Sequence, residues 1–459
     1  MSESAAAAGE HRTRSILLAV LTSIVSKGGN ILLMLIAIPL AYRVLGEGKA
    51  AIFGVMQSLM WLVSMADLGT GPGMVRRLAG AVGEDDKKRQ AQVVSSAFFV
   101  TCLLAFTGML LIAALLTWVP LTVLFSEAFA PYAGDLRTAA WVSLGIFITL
   151  MILGSLERVR EGFQEVHVGN VYGAAYNVTA ALVLWLGIAY FPTPVFMICA
   201  IYGLCIFFSS ANAGMILSKR PWLIPSLKNL DRGLVRSMTR EGLGLFAAGS
   251  VAPILIRETP KFMLGRSEAH GSAADVAHYW ILVQLGLIGL GFVFMVTRPL
   301  WPAMADAASC RDYAWIQKAR SQTVRHFAPC AVIVICAFSL LGHPFTEWWL
   351  KTESGLTRLQ FTAYGFLFAL TAWSHIHYVM LGSMGLGRVA ARVLLGEAGV
   401  ILLLSWWGIQ GYGLTGAVFA AAAGMLAISA WLMPLQLQRA LNRNTRDTSG
   451  IMKVPAPAV

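Results

Sequence analysis

Apolar residues dominate this chain in runs of about twenty, each closed by a short polar or charged segment. A run of ~20 apolar residues is the length an α-helix needs to cross the hydrocarbon core of a bilayer. Twelve such windows follow one another. Six lie at roughly 16–42, 50–74, 91–117, 138–156, 169–190 and 194–217, and a polar, basic stretch at 218–242 follows them. Six more lie at roughly 243–264, 278–303, 326–342, 359–383, 393–410 and 411–433. These runs are too long for the strands of a membrane barrel, and backbone groups in lipid must bond within their own segment, so the windows predict helices. The expected architecture is an all-α polytopic membrane protein of about twelve transmembrane helices in two six-helix bundles around a central cavity. Its segments are a cytoplasmic N-terminus (1–15), a first bundle (16–217), a basic cytoplasmic connector (218–242), a second bundle (243–433) and a cytoplasmic tail (434–459).

Composition agrees with this pattern: of 459 residues, 57% are hydrophobic and only 13% charged. A soluble protein averages about 25% charged residues. The net charge of +12 would raise nucleic-acid binding in a soluble chain. Here its distribution gives another reading. With the N-terminus inside, the inner segments hold 25 of the 35 Lys and Arg residues and the outer segments five. That bias follows the positive-inside rule and places both termini in the cytoplasm, so no nucleic-acid partner is expected. Ile16–Val25 has the length of a signal-peptide core, but Ser26-Lys27-Gly28-Gly29-Asn30 then gives way to more apolar chain. A retained first helix, held inside by Arg12 and Arg14, is expected.

Against this background a few charges are misplaced. Lys27 sits in the middle of the first window, where a charge costs ~2.5–3.5 kcal/mol. Arg257 and Lys261 repeat the anomaly in the first window of the second half. They are four residues apart, on one helix face, and repel each other there. Glu258 lies about 100° round the helix, so the spacing predicts that it cannot neutralise both. Pro253 and Pro260 bracket the segment and predict a kink or break, and Gly28-Gly29 predicts a loosened first helix. Discontinuous helices with local charge are how transporters build sites at mid-membrane. A cationic face fits an anionic ligand such as a phosphate or pyrophosphate. Asp67, near the inner end of the second window, is either a pathway charge or a partner for Arg76 or Arg77. Arg298, near the inner end of its window, either lines the pathway or snorkels.

Motifs of other chemistries are absent or misplaced. There is no GxxxxGK[ST] and no HExxH, and the six cysteines show neither CxxC nor metal spacing. Gly411-Tyr412-Gly413-Leu414-Thr415-Gly416 matches GxGxxG but lies between two apolar windows with no strand before it, which predicts a helix hairpin. Asn177-Val178-Thr179 is a glycosylation sequon inside a window, where it is inaccessible. His375 and His377, two apart, face different ways on a helix and make a poor metal pair. The outer loops offer Glu127, Asp135, Glu347 and Glu353 in no recognisable acid–base arrangement, so an enzyme is not expected. An integral-membrane glycosyl- or acyltransferase using His375 or His377 is the alternative from that class.

Other residues carry a resemblance. Pro39-Leu40-Ala41-Tyr42-Arg43-Val44-Leu45-Gly46, Ala51-Ile52-Phe53-Gly54-Val55, Asp67-Leu68-Gly69-Thr70-Gly71 and Arg76-Arg77-Leu78-Ala79 resemble the opening of the polysaccharide transporters. These are the O-antigen and exopolysaccharide repeat-unit flippases, in the superfamily that also holds multidrug extruders. Pro260-Lys261-Phe262-Met263-Leu264-Gly265 echoes the first of these segments in the second half, as a parallel repeat would. The resemblance implies alternating access in a bacterial inner membrane. The cargo it implies is an undecaprenyl-pyrophosphate-linked oligosaccharide, bound by cations in the first helix of each half. Lys27 matches that place in one half, Arg257 and Lys261 in the other, with Asp67, Glu258 and Arg298 as further cavity or gate charges. No cofactor is implied; a coupling proton or sodium ion is left open. Membrane lipid, a polysaccharide polymerase and chain-length proteins are the partners implied. The alternative within the superfamily is a cation-coupled drug antiporter, which needs buried carboxylates.

Overall fold

A computed structural model describes residues 2–64, 70–120, 125–246, 251–268, 272–309 and 311–451. Among the described residues the chain is helical, with no strand. The α-helices are α1 (Ser2–Leu40), α2 (Gly46–Ser64), α3 (Thr70–Gly83), α4 (Lys87–Trp118), α5 (Ala133–Gly162), α6 (Val166–Gly187), α7 (Pro194–Ile198) and α8 (Leu204–Lys219). They continue as α9 (Arg232–Phe246), α10 (Ala252–Arg266), α11 (Ala273–Ser309), α12 (Tyr313–Leu350), α13 (Arg358–Ser383), α14 (Gly387–Ala427) and α15 (Ser429–Ile451). Among the described residues, each of the twelve apolar windows falls mainly on helix, and seven helical stretches are long and apolar enough to cross a membrane. The chain forms two compact units, residues 1–246 with 272–277 and residues 247–271 with 278–459.

The helix starts follow from local chemistry. Asp86 accepts the Arg89 N–H at 2.9 Å to begin α4, and Asp312 accepts the Trp315 N–H at 3.0 Å to begin α12. Thr357 and Gln360 form a reciprocal capping box at α13. Each satisfies amide donors that a helix N-terminus leaves without an internal partner.

In lipid the solvent is as apolar as leucine, so helices associate through small residues and hydrogen bonds rather than by apolar burial. The α1–α6 joint in the first unit uses both. A Cβ on Gly29 would lie 3.2 Å from Asn177 Cβ, and one on Gly173 would lie 2.9 Å from Ser26 Oγ. Asn177 Nδ2 donates to the Ser26 carbonyl at 3.3 Å, and Asn170 Nδ2 donates to Thr22 Oγ1 at 3.2 Å. Gly28 and Gly29 therefore do not loosen the first helix as their composition predicts. α1 is continuous through them, and Gly29 is the point of close approach to α6. The irregularity falls later, in a π-helical turn over Ala41–Leu45 just beyond Pro39.

The second unit holds the GxGxxG hairpin. Gly413 takes φ +57°, ψ −134°, a conformation open only to glycine, and turns α14 back on itself. A Cβ on Gly416 would clash with the Gly408 carbonyl oxygen. That contact is backbone against backbone and cannot yield by rotating a side chain. Gly416→Ala is expected to cost about 3 kcal/mol, while Gly411→Ala, whose Cβ would point into open space, leaves the melting temperature of the purified protein unchanged. Equal melting temperatures for the two variants would contradict the hairpin.

Two windows end differently from expectation. Residues 243–246 belong to α9, and the described helix that carries Arg257 is Ala252–Arg266, with Pro253 in its first turn where a missing N–H costs nothing. Beyond the last window, the chain stays helical to Ile451.

Candidate functional site

α10 is short and carries its charges in its middle: Arg257, Glu258 and Lys261. Pro260 sits inside the helix without ending it, and the helix runs unbroken from Ala252 to Arg266. The predicted break between the two prolines is not present.

Glu258 corrects the sequence reading most. Its Oε1 accepts from Arg257 Nε at 2.5 Å, and its Oε2 accepts from Lys261 Nζ at 2.7 Å. One carboxylate holds both cations. The 100° offset between backbone positions does not forbid this, because Arg and Lys side chains reach around the helix and a carboxylate offers two oxygens. The three groups carry a formal charge of +1. They differ in exposure: Glu258 and Lys261 are each 1% exposed, Arg257 20%. Lys261 is thus locked inside the unit, and Arg257 is the member that reaches a surface. Tyr279 and Tyr364, both buried, stand within electrostatic reach of Arg257 and Glu258.

In the first unit, Lys27 is half-buried on α1 beside the α6 joint. Its neighbour Ser26 carries the contacts that fix α1 to α6. Asp67 lies outside the described residues, and the side chain of Arg298 on α11 is likewise not described.

A residue the sequence reading passed over is Glu397, on α14. It is 0% exposed. Its Oε2 accepts the Ser429 N–H at 3.1 Å, at the start of α15. Its Oε1 is buried without a hydrogen-bond partner. The signal is a single acid in the apolar window 393–410.

The histidines fall out as packing and interhelical groups. His375 Nε2 pairs with Thr297 Oγ1 of α11 at 3.1 Å and packs on Phe294. His377 donates from Nδ1 to the Trp373 carbonyl at 2.9 Å. Among the described residues, no group of His, Cys, Asp and Glu has the arrangement of a metal site. Of the outer-loop carboxylates, Asp135 pairs with Lys49 at 3.3 Å and Glu347 lies 3.5 Å from His343.

A second ion cluster closes the first unit at the ends of α5 and α8. Glu165 meets Arg160 at 3.0 Å and Arg220 at 2.5 Å. Burial alone would raise the Glu165 carboxyl, but the Arg220 hydrogen bond and the charges of Arg220, Arg160 and Lys219 hold it below the ordinary carboxylate range. A group lowered in this way stabilises the fold at neutral pH and loses that contribution as pH falls through its folded value.

No family model matches the chain, and no curated protein sequence matches it. Solved structures do. An inward-facing multidrug resistance MATE family transporter of the MOP superfamily superposes with TM-score 0.72 at 13% identity, over 92% of this chain and 99% of that one. An outward-facing one gives 0.66 at 14% identity, over 94% and 96%. A MOP superfamily transporter from Pyrococcus furiosus, described as having a binding pocket of reverse polarity that suggests a different function, gives 0.65 at 13% identity, over 95% and 97%. The fold is therefore that of the MATE transporters, two helical bundles in one multi-pass chain.

Proposed function

We propose that the protein moves an anionic lipid-linked oligosaccharide across a bacterial inner membrane by alternating access. The cargo is an undecaprenyl-pyrophosphate-linked repeat unit of O-antigen or exopolysaccharide. The observation that carries this reading is the placement of cations in the first helix of each half: Lys27 on α1, and on α10 Arg257 and Lys261, gathered by the carboxylate of Glu258. A diphosphate is the natural complement of such groups, because charge-assisted hydrogen bonds to phosphate are about twice as strong as neutral ones. The MATE-like fold supports the mode of transport, since relatives of that fold have been captured facing inward and facing outward. The reverse-polarity pocket ascribed to one structural neighbour is a precedent for a changed cargo on the same scaffold. Polysaccharide polymerase and chain-length proteins would then act on what this protein delivers.

Glu397 favours a second reading, cation-coupled antiport of a drug. A buried carboxylate with an unpaired oxygen is a group that a proton or sodium ion could occupy. One preparation separates the readings. Purified protein in liposomes is offered an undecaprenyl-pyrophosphate-linked oligosaccharide, scored by lectin access, and a cationic dye, scored by uptake under an imposed ion gradient. Protein-dependent exposure of the oligosaccharide is the expected result. Dye transport without it would replace the first reading by the second.

A further inference from the structure

The connector between the two halves is a built surface. α9 starts at Asp231, whose Oδ1 accepts the N–H groups of Gly233 and Leu234 at 2.7 and 3.1 Å. The Asp231 N–H donates to Ser96 Oγ of α4 at 2.9 Å, which pins the start of the helix. One face is packed: Met238 is fully buried, and a Cβ on Gly73 of α3 would lie 2.9 Å from its carbonyl oxygen. The opposite face is a stripe of arginine. Arg232, Arg236 and Arg240 are all exposed and spaced four apart, so they fall within about 80° of arc.

Two observations say what this stripe meets. Just before α9, Leu227 is 70% exposed and Ile224 and Leu230 are also exposed, although the chain has left the apolar window at Lys219 only a few residues earlier. Exposed apolar side chains in the segment that leads into a cationic helix face are groups that the boundary of headgroups and acyl chains can accept. Asp231, the acid that opens the helix, is held by the backbone N–H groups of Gly233 and Leu234. By contrast, the exposed basic segment at the start of α4 is interleaved with acids, and Arg89 pairs with Glu84 at 4.0 Å.

We infer that the exposed face of α9 is a docking surface for the headgroups of anionic phospholipids. Obedience to the positive-inside rule asks only that cations lie on one side; it does not ask that they align on one face of a pinned helix beside exposed leucines. The stripe would fix the connector at the bilayer surface, in electrostatic contact with phosphates about a Debye length away or nearer.

The test titrates delipidated full-length protein with phosphatidylglycerol and counts bound lipid by native mass spectrometry. The triple variant Arg232→Gln, Arg236→Gln, Arg240→Gln is compared with Arg388→Gln, Arg392→Gln, Arg439→Gln, which removes the same charge from exposed positions elsewhere. A loss of phosphatidylglycerol affinity on the order of a hundredfold is expected for the α9 variant only. The Arg→Lys triple should restore it, which separates charge from misfolding. Equal loss in both Gln triples, or no loss at α9, would overturn the inference. So would displacement of the lipid by inorganic phosphate at matched ionic strength, which would assign the stripe to soluble anions.

Discussion

Replacing Glu258 with glutamine is expected to be the most damaging single change in the second unit, costing about 3–5 kcal/mol. The reason is the asymmetry of a buried ion cluster. Lys261, 1% exposed, has Glu258 Oε2 2.7 Å from its ammonium. Take the carboxylate away and both Lys261 and Arg257, one helical turn apart, lose the acceptor that they share. The three positions go from a formal +1 to +2, with Lys261 1% exposed and Arg257 20%. A loss of that size shows as a clear drop in the melting temperature of the purified protein in detergent or nanodiscs. The companion variant decides the cause. Glu258→Gln combined with Lys261→Met leaves a single cation, Arg257, partly exposed, and should recover most of the lost stability. If the single variant melts with the wild type, the cluster is not held by Glu258. If the double variant is no better than the single one, charge is not what was lost.

Much of this architecture is legible in the sequence because the bilayer sets the length of every span. Runs such as 326–342 or 359–383 have one reading at that length, and each lies on helix. The glycine pattern at 411–416 is legible too, once the lack of a preceding strand is weighed, and the turn at Gly413 has the geometry of a hairpin. Side-chain reach was not legible. Spacing places Glu258 at an angle from its neighbours, but it does not say that a two-oxygen acceptor can serve a cation on either side. Glu397 was hidden for a related reason. A lone acid in an apolar window signals burial only when it is set against the break at Ile428 and the Ser429 N–H that it accepts. α9 was not anticipated because its periodicity is that of a surface helix inside a stretch whose polar, basic composition predicts only a connector. Its apolar face is brief, and α3 and α4, distant in sequence, provide what it packs on.

The same cluster separates stability from transport, and Arg257 is where the separation can be measured. Removing Arg257 leaves Glu258 and Lys261 as a matched pair, one negative and one positive, both buried and 2.7 Å apart. Arg257→Ala should therefore melt within about 1 kcal/mol of wild type, since it also removes the repulsion between two cations four residues apart. Transport should respond differently. At 20% exposure Arg257 is the member of the cluster that a ligand can meet, and hydrogen bonds to a charged group contribute about 1.5–3 kcal/mol. The expected loss is ~10–150-fold in the rate at which the lipid-linked oligosaccharide becomes accessible on the far side of liposomes, at about 1.4 kcal/mol per tenfold. Arg257→Lys keeps the charge and should keep part of the rate. Lys27→Ala in the first half is expected to lower transport in the same way, by removing the cation that α1 contributes. In cells the readout is surface polysaccharide, compared at equal levels of inserted protein. Wild-type polysaccharide from both Lys27→Ala and Arg257→Ala would remove these residues from the substrate path. Loss from Arg257→Ala together with an unchanged melting temperature would place the arginine in recognition of the cargo, and leave Glu258 and Lys261 as the pair that holds α10 together around it.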